Sequence, residues 1–258
     1  MFPQLPTGAL SQFPLRKRRL ARTVVNTTAD GRTIKLPDVA AQTTEWQLQY
    51  TGLSDAELAT LAQFFAAMEG SLNGFTFLDP NGNLLAWSND PSQAEWQKAP
   101  FLTLTGGGAD PAGGTCAWHV ANAGAGAQSL SQTLNAPAAY VYCLSAYARA
   151  AQPTTITLLL GSNRAACQLG TNWKRFTIAG TGDAEATSVS FGIEMPAGAA
   201  IDLYGPQAEP QASASACKSS TTGGVYENAH FRDDVFSYTS TGVNRHSTTV
   251  NILYANHL

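Results

Sequence analysis

Charge is scarce in this chain: 13% of its 258 residues are Asp, Glu, Lys or Arg, and the formal net charge is −3. A nucleic-acid-binding domain carries a basic surplus, so sequence-specific nucleic acid is not an expected partner. The one basic cluster, Arg16-Lys17-Arg18-Arg19 with Arg22 nearby, is short and lacks interleaved aromatics, and reads as a solvated or subunit-contacting loop. Cysteine is also sparse. Residues 116, 143, 167 and 217 form no CxxC pair and stand near no histidine at metal-ligand spacing, which argues for free, mostly buried thiols and against zinc. No apolar run approaches the ~20 residues of a membrane helix. The opening "MFPQLPTGALSQFPLRKRRL" holds three prolines and no signal-like apolar stretch, so the protein is expected to be made and kept in a cytosol unless lysis releases it.

Catalytic patterns are missing as well. His119, His230, His246 and His257 make no HExxH-like motif, and neither a Gly-x-Ser-x-Gly elbow nor a phosphate loop occurs. "LTGGGADPAGG" is Gly-rich but enters no helix and reads as a loop. Asp233-Asp234 reads as a solvated pair at a strand edge or turn. A glycosidase needs two carboxyls ~5–9.5 Å apart. Glu194, Asp202 and Glu209 are the residues that would supply them, and sequence does not place them relative to one another. The expectation is a protein without catalytic residues, metal or cofactor.

What is present is β patterning, with one helix. Ser54 and Glu57 form a capping box. Leu58, Leu61, Phe65 and Met68, broadened by Phe64, recur at helical spacing, and Gly70 is placed to end the helix in the left-handed conformation. Phe75 and Phe77 then alternate as a strand does, before the turn Asp79-Pro80-Asn81-Gly82. Between 91 and 212, "AAYVYCLSAYARA", "TTITLLLG", "NWKRFTIAG", "SVSFGIEM" and "AIDLYGPQAEP" have the spacing of an antiparallel sandwich. Residues 213–258 are too few for a core of their own, so their strands must join the sheet begun by "RTVVNTT", "RTIKLP" and "TEWQLQYTGL". This predicts a discontinuous outer domain, 1–92 plus 213–258, interrupted by an inserted β-sandwich over 93–212.

Two resemblances follow. The run "LSDAELATLAQFFAAMEGSLNGFTFLDPNGNLL", in which Phe75 or Phe77 with Asp79 and Pro80 stands for the Phe-x-x-Asp-Pro turn of that family, one residue off its spacing, resembles the distal tail (tail hub) proteins of long-tailed phages and phage-like gene transfer particles. "FPQLPTGALSQFP" and "GGVYENAHFRDDVFSYTSTGVNRHSTTVNILY" are similar to the flanks of the same proteins. The resemblance implies a split β-barrel with one helix. It further implies a homo-oligomeric, six-fold ring between the tail tube and the tip or baseplate, in a virion tail assembled in the host cytoplasm. The middle zone resembles the jelly-roll carbohydrate-binding modules appended to phage tail and fibre proteins, whose last strands read Gly-x-Gln-x-Glu, matched by Gly205, Gln207 and Glu209. It implies a sandwich that projects outward and binds host-surface polysaccharide.

Strand alternation then sorts the sandwich faces. Phe176 and Ile178 point in, leaving Trp173, Arg175 and Thr177 out. Val189, Phe191 and Ile193 point in, leaving Glu194 out. Ile201 and Leu203 point in, leaving Asp202 and Tyr204 out. Tyr147 and Arg149 share a face. If these sets lie on one sheet, Trp173, Arg175, Tyr147, Arg149, Glu194 and Asp202, with Trp118 and its neighbour His119, compose a carbohydrate-binding surface. The alternative is that Trp173 caps the core edge, Arg175 and Glu194 form a weak surface pair, and Trp118 and His119 are packed. A structural virion ring protein, a tail-fibre-like glycan-binding adhesin and a polysaccharide hydrolase are the three functions this pattern leaves open.

Overall fold

The computed structural model describes residues 1–255; His257 lies outside them. The chain begins β1 (Leu15–Thr27), β2 (Thr33–Leu53), α1 (Asp55–Ala67), β3 (Phe75–Leu78), β4 (Gln97–Lys98), β5 (Leu102–Gly108) and β6 (Ala117–Asn122). It continues with β7 (Gln128–Leu134), β8 (Tyr142–Arg149), β9 (Thr154–Leu160), β10 (Asn163–Leu169), β11 (Lys174–Gly180) and β12 (Val189–Met195). It ends with β13 (Ala200–Glu209), β14 (Val225–Phe231), β15 (Tyr238–Gly242) and β16 (Arg245–Ala255). The fold is mainly β with antiparallel sheets, and it divides into two compact units: Met1–Phe77 with the chain from Tyr226 onward, and Leu78–Val225.

In the first unit, β16 lies between β2 and β14, so strands from the two ends of the chain share one sheet, ordered β1-β2-β16-β14-β3 with β15 on β16. Among the described residues this path is open, with no β1–β3 pairing to close a barrel. "RTIKLP" and "TEWQLQY" are not two strands but one, β2, which pairs β1 through a bulge at Leu20/Arg22. The Arg16–Arg19 cluster is strand, not loop. Alternation sends Lys17 over Trp46, 5.3 Å from the ring centroid, while Arg16 and Arg18 line a cavity of about 240 Å³ with Glu45 and Arg232. Arg18 is bonded to Glu45.

Helix α1 starts where its capping box dictates. The Glu57 N–H donates to Ser54 Oγ at 3.3 Å, and the Ser54 N–H donates to the Glu57 carboxylate at 2.9 Å. It ends at Met68, with Glu69 and Gly70 both left-handed. A β-carbon on Gly70 would lie 2.7 Å from the Asp234 carboxylate, so glycine is needed there for space as well as for conformation. Phe64, Phe75 and Phe231 pack edge-on or tilted about Phe2, which is fully buried.

The second unit is a sandwich of two five-stranded antiparallel sheets, β10-β9-β12-β7-β4 and β11-β8-β13-β6-β5. Their inner faces interdigitate Leu144, Leu158, Leu160, Val189, Phe191, Ile193, Ile201 and Leu203, all buried. This unit is wider than the expected 93–212, because both flanks pack onto it. The Leu84 N–H donates to the Ala208 carbonyl at 2.8 Å, and the Ser88 N–H donates to the Ser220 carbonyl at 2.9 Å. The turn after β3 forms as expected, with the Asn81 N–H on the Asp79 carboxylate at 3.0 Å. Asn83, just beyond it, is 3% exposed and serves β13. Its amide donates to the carbonyls of Pro206 (2.9 Å) and Lys218 (3.0 Å), and its oxygen accepts the N–H groups of Leu85 and Ala208 (both 3.1 Å).

Removing Asn83 strands buried backbone groups, each costing about 1–3 kcal/mol, whereas loss of the Ser54 cap costs about 1 kcal/mol. Chemical denaturation should therefore show Asn83→Ala destabilised by more than Ser54→Ala, with the Asn83→Ala loss confined to the sandwich transition.

Candidate functional site

The outer face of the β11-β8-β13-β6-β5 sheet carries the candidate site. Register arranges its side chains in rows that cross the strands. Asp202 of β13 stands opposite Arg149 of β8 on one side and His119 of β6 on the other, and Thr105 of β5 stands opposite His119. Trp173, immediately before β11, covers Arg149, with the guanidinium carbon 4.8 Å from the ring centroid. The next row holds Arg175, Tyr147 and Tyr204; the two tyrosine rings lie 6.0 Å apart, tilted. Two further rows, Ser145 with Gln207 and Cys143 with Glu209, are fully or almost fully buried.

They are buried because the segment after β13 folds over them. The Ser215 N–H and hydroxyl donate to Glu209, and the Lys218 N–H donates to Gln207 Oε1 at 2.6 Å. This is the physical content of the Gly-x-Gln-x-Glu pattern. Gly205 is left-handed, with φ +57°, in a bulge between Tyr204 and Gln207, and a β-carbon there would lie 2.5 Å from Cys217 Sγ. Gln207 and Glu209 then fasten the covering segment.

The open rows are held by a chain of charged contacts. His119 Nδ1 lies 3.0 Å from Asp202 Oδ1, and Arg149 Nε donates to Asp202 Oδ2 at 2.9 Å. Partial burial acts to raise the Asp202 pKa, but the hydrogen bonds and charges of His119 and Arg149 outweigh it and hold the carboxyl below its ordinary value. Burial, aided by Cys217, Asp110 and other neighbours, raises the Tyr204 phenol, which stays a protonated donor at neutral pH. Asp110 itself is fixed by the N–H groups of Ala112, Gly114 and Cys116. "LTGGGADPAGG" is thus half strand, as the end of β5, and half a loop closed on Asp110.

Of the residues expected to form a sugar face, Trp173, Tyr147, Arg149 and Asp202 come together. Arg175 joins them but is occupied: it donates to Ser145 Oγ at 2.9 Å and to the Ser215 carbonyl, and its guanidinium carbon sits 5.4 Å from the Tyr147 ring centroid. It borders the site as a clamp on the covering segment. Glu194 does not belong. It lies on β12 in the other sheet and pairs with Arg164 at 2.7 Å, so the expected Arg175–Glu194 surface pair does not form either. Trp118 is opposite the buried Leu203, on the core face, with its indole N–H on the Asn89 carbonyl at 2.8 Å. His119 and Tyr204 complete the face. Alternation had already turned Tyr204 outward, and His119 was a candidate beside Trp118; its pairing with Asp202, which sequence does not contain, is what places it on the face.

The carboxyls considered for hydrolysis do not converge: Asp202 and Glu194 are on different sheets, and Glu209 is buried under its covering segment. Elsewhere, Asp233 is engaged by Arg232 and Asn251, Asp234 by Ser71, and His246 by Asp55. The four thiols are unpaired, Cys143 and Cys167 being buried and Cys116 exposed. No helix among the described residues is long and apolar enough to cross a membrane.

No protein-family model matches the chain, and no curated protein matches it. Solved structures similar to part of it include the enzymatically active domain of tailspike protein 4 from bacteriophage CBA120, at 11% identity and TM-score 0.41; the match covers 51% of this chain and 22% of that one. The C-terminal family 22 carbohydrate-binding module of a Clostridium thermocellum protein is similar at 15% identity and TM-score 0.42, over 55% of this chain and 100% of that one. A xylan-binding domain from Paenibacillus barcinonensis is similar at 13% identity and TM-score 0.39, over 55% and 95%.

A carboxyl whose folded pKa is depressed contributes stability above its unfolded pKa and loses it as pH falls through the folded one. The Asp202 carboxyl, followed by NMR, should titrate below the ~3.9 of free aspartate, and Arg149→Gln should raise its midpoint. A wild-type midpoint at or above ~3.9 would contradict the contacts described.

Proposed function

We propose that residues 78–225 form a glycan-binding unit and that the chain is a structural virion protein of a phage or phage-like tail. The observation that carries the first part is the pair of open rows on one sheet, where the rings of Trp173, Tyr147 and Tyr204 lie beside the braced Arg149–Asp202 pair. A sugar ring has an apolar C–H face and a rim of hydroxyls, so it needs aromatic surface and fixed hydrogen-bonding groups within one small area. The scattered carboxyls support binding without turnover.

A separate observation favours a ring-forming role for the first unit. Its β1–β2 hairpin exposes Leu20 (42%), Val25 (56%), Ile34 (46%) and Leu36 (50%). Ile34 and Leu36 share one face of this pair and Val25, opposite Lys35, lies on the other, and apolar side chains left exposed on a long strand pair mark an interaction surface. This supports a homo-oligomer, six-fold by resemblance to tail hub proteins, contacting the tail tube and the tip or baseplate. A tail-fibre-like adhesin is the alternative, in which the sandwich alone is functional.

In affinity electrophoresis against a panel of surface polysaccharides, Trp173→Ala and Tyr204→Ala should each weaken retardation about tenfold, or ~1.4 kcal/mol, with Glu194→Gln unchanged. Failure of every polysaccharide to retard the wild type would remove the glycan reading. Light scattering after size exclusion should give six times the 27.2 kDa chain mass. Ile34→Lys combined with Leu36→Lys, adjacent on one hairpin face, should give the monomer mass. A monomeric wild type would favour the adhesin.

A further inference from the structure

We infer that the glycan taken by this face carries a carboxylate, as a uronic acid does, and that the terminal nitrogens of Arg149 receive it. The inference rests on the glycan-binding reading of the same face. Arg149 is braced from two sides, by the Trp173 ring at 4.8 Å and by Asp202 on Nε at 2.9 Å, and Asp202 is in turn held by His119 at 3.0 Å. Only Nε is hydrogen-bonded. Nη1 and Nη2 have no hydrogen-bond partner among the described residues, and the side chain is 33% exposed.

A guanidinium fixed in this way offers a planar edge of two donors, the match for the two oxygens of a carboxylate. Bracing also removes most of the rotamer entropy that a free arginine loses on binding. The charge balance points the same way. Arg149 and Arg175 share the face with one carboxylate, Asp202, while Glu209 is buried beside Lys218 and Asp110 is satisfied by three backbone N–H groups. The Arg149 edge and the protonated Tyr204 hydroxyl give the open rows a surplus of donors. A neutral sugar hydroxyl accepts one such donor but leaves the guanidinium charge uncompensated and does not match the two parallel N–H groups of its edge. A carboxylate accepts without donating.

The test is affinity electrophoresis of the full chain against polygalacturonate, alginate and hyaluronan, with fully methyl-esterified polygalacturonate, xylan, mannan and dextran as neutral counterparts. The expected result is at least tenfold stronger retardation by an acidic member than by any neutral one, and by polygalacturonate than by its ester if that is the member bound. Arg149→Lys keeps the charge but not the two-donor edge and should abolish the preference, its melting temperature verifying that it is folded. Equal retardation by acidic and neutral members, retardation by neutral members alone, or an unchanged preference in folded Arg149→Lys overturns the inference and leaves the glycan reading intact. Retardation by no member overturns both. The wild-type comparison needs no variant, so the acidic-sugar claim stays testable even if Arg149→Lys does not fold.

Discussion

A strand that carries Asp202 and Tyr204 on its outer face and Gln207 and Glu209 on that same face cannot alternate without interruption. Positions 202 and 204 have one parity and 207 and 209 the other. Strict alternation would send Glu209 into the apolar core between the sheets, where an unpaired carboxylate is prohibitively costly. The bulge at Gly205 and Pro206 adds one residue to β13 and resets the parity: Tyr204 stays opposite Tyr147, and Gln207 comes opposite Ser145. The bulge needs a left-handed residue beside Cys217 Sγ, hence glycine, and its freed backbone groups are taken up by Asn83. The covering segment, the border of the open rows and the wide limits of the sandwich unit all follow from that local correction.

Energetically the outer face has two regimes. Around Glu209 and Gln207 the polar groups are buried and, apart from Arg175 Nε, engaged, so each bond is necessary in the sense that losing one partner strands the other. Around Asp202 the contacts are partly exposed, and ion pairs of that kind contribute roughly 0–1 kcal/mol each. The sequence of contacts from His119 through Asp202 and Arg149 to Trp173 therefore does little for stability. It sets the position of a guanidinium, the role expected of groups that are held ready for a ligand.

The first unit follows different physics. Its interior is an aromatic cluster around Phe2, gathered from the chain start, the helix, β3 and β14. Its hairpin leaves apolar side chains in water. A surface of that kind is unfavourable for an isolated chain and becomes favourable when it is covered.

Local interactions were legible from the sequence. The capping box, the helix end at Gly70, the Asp-Pro turn and the inward set of each sandwich strand follow from nearest neighbours and from the period of two, and the structure keeps them. The same alternation turned Trp173, Arg149, Asp202 and Tyr204 outward. It did not say which outward sets share a sheet. Glu194 was separated from Asp202 because β12 pairs with β7 and β9, while β13 pairs with β6 and β8, a matter of long-range pairing. Of the neighbours Trp118 and His119, both candidates for the face, His119 alone lies on it for the same reason, since register with β13 decides which of two neighbours faces out. Arg16–Arg19 became strand because β2 supplies a partner along its whole length. Alternation is a property of one strand and can be read from its residues; which strand lies beside it depends on hydrogen bonds between segments far apart in the chain, and tertiary structure alone decided that.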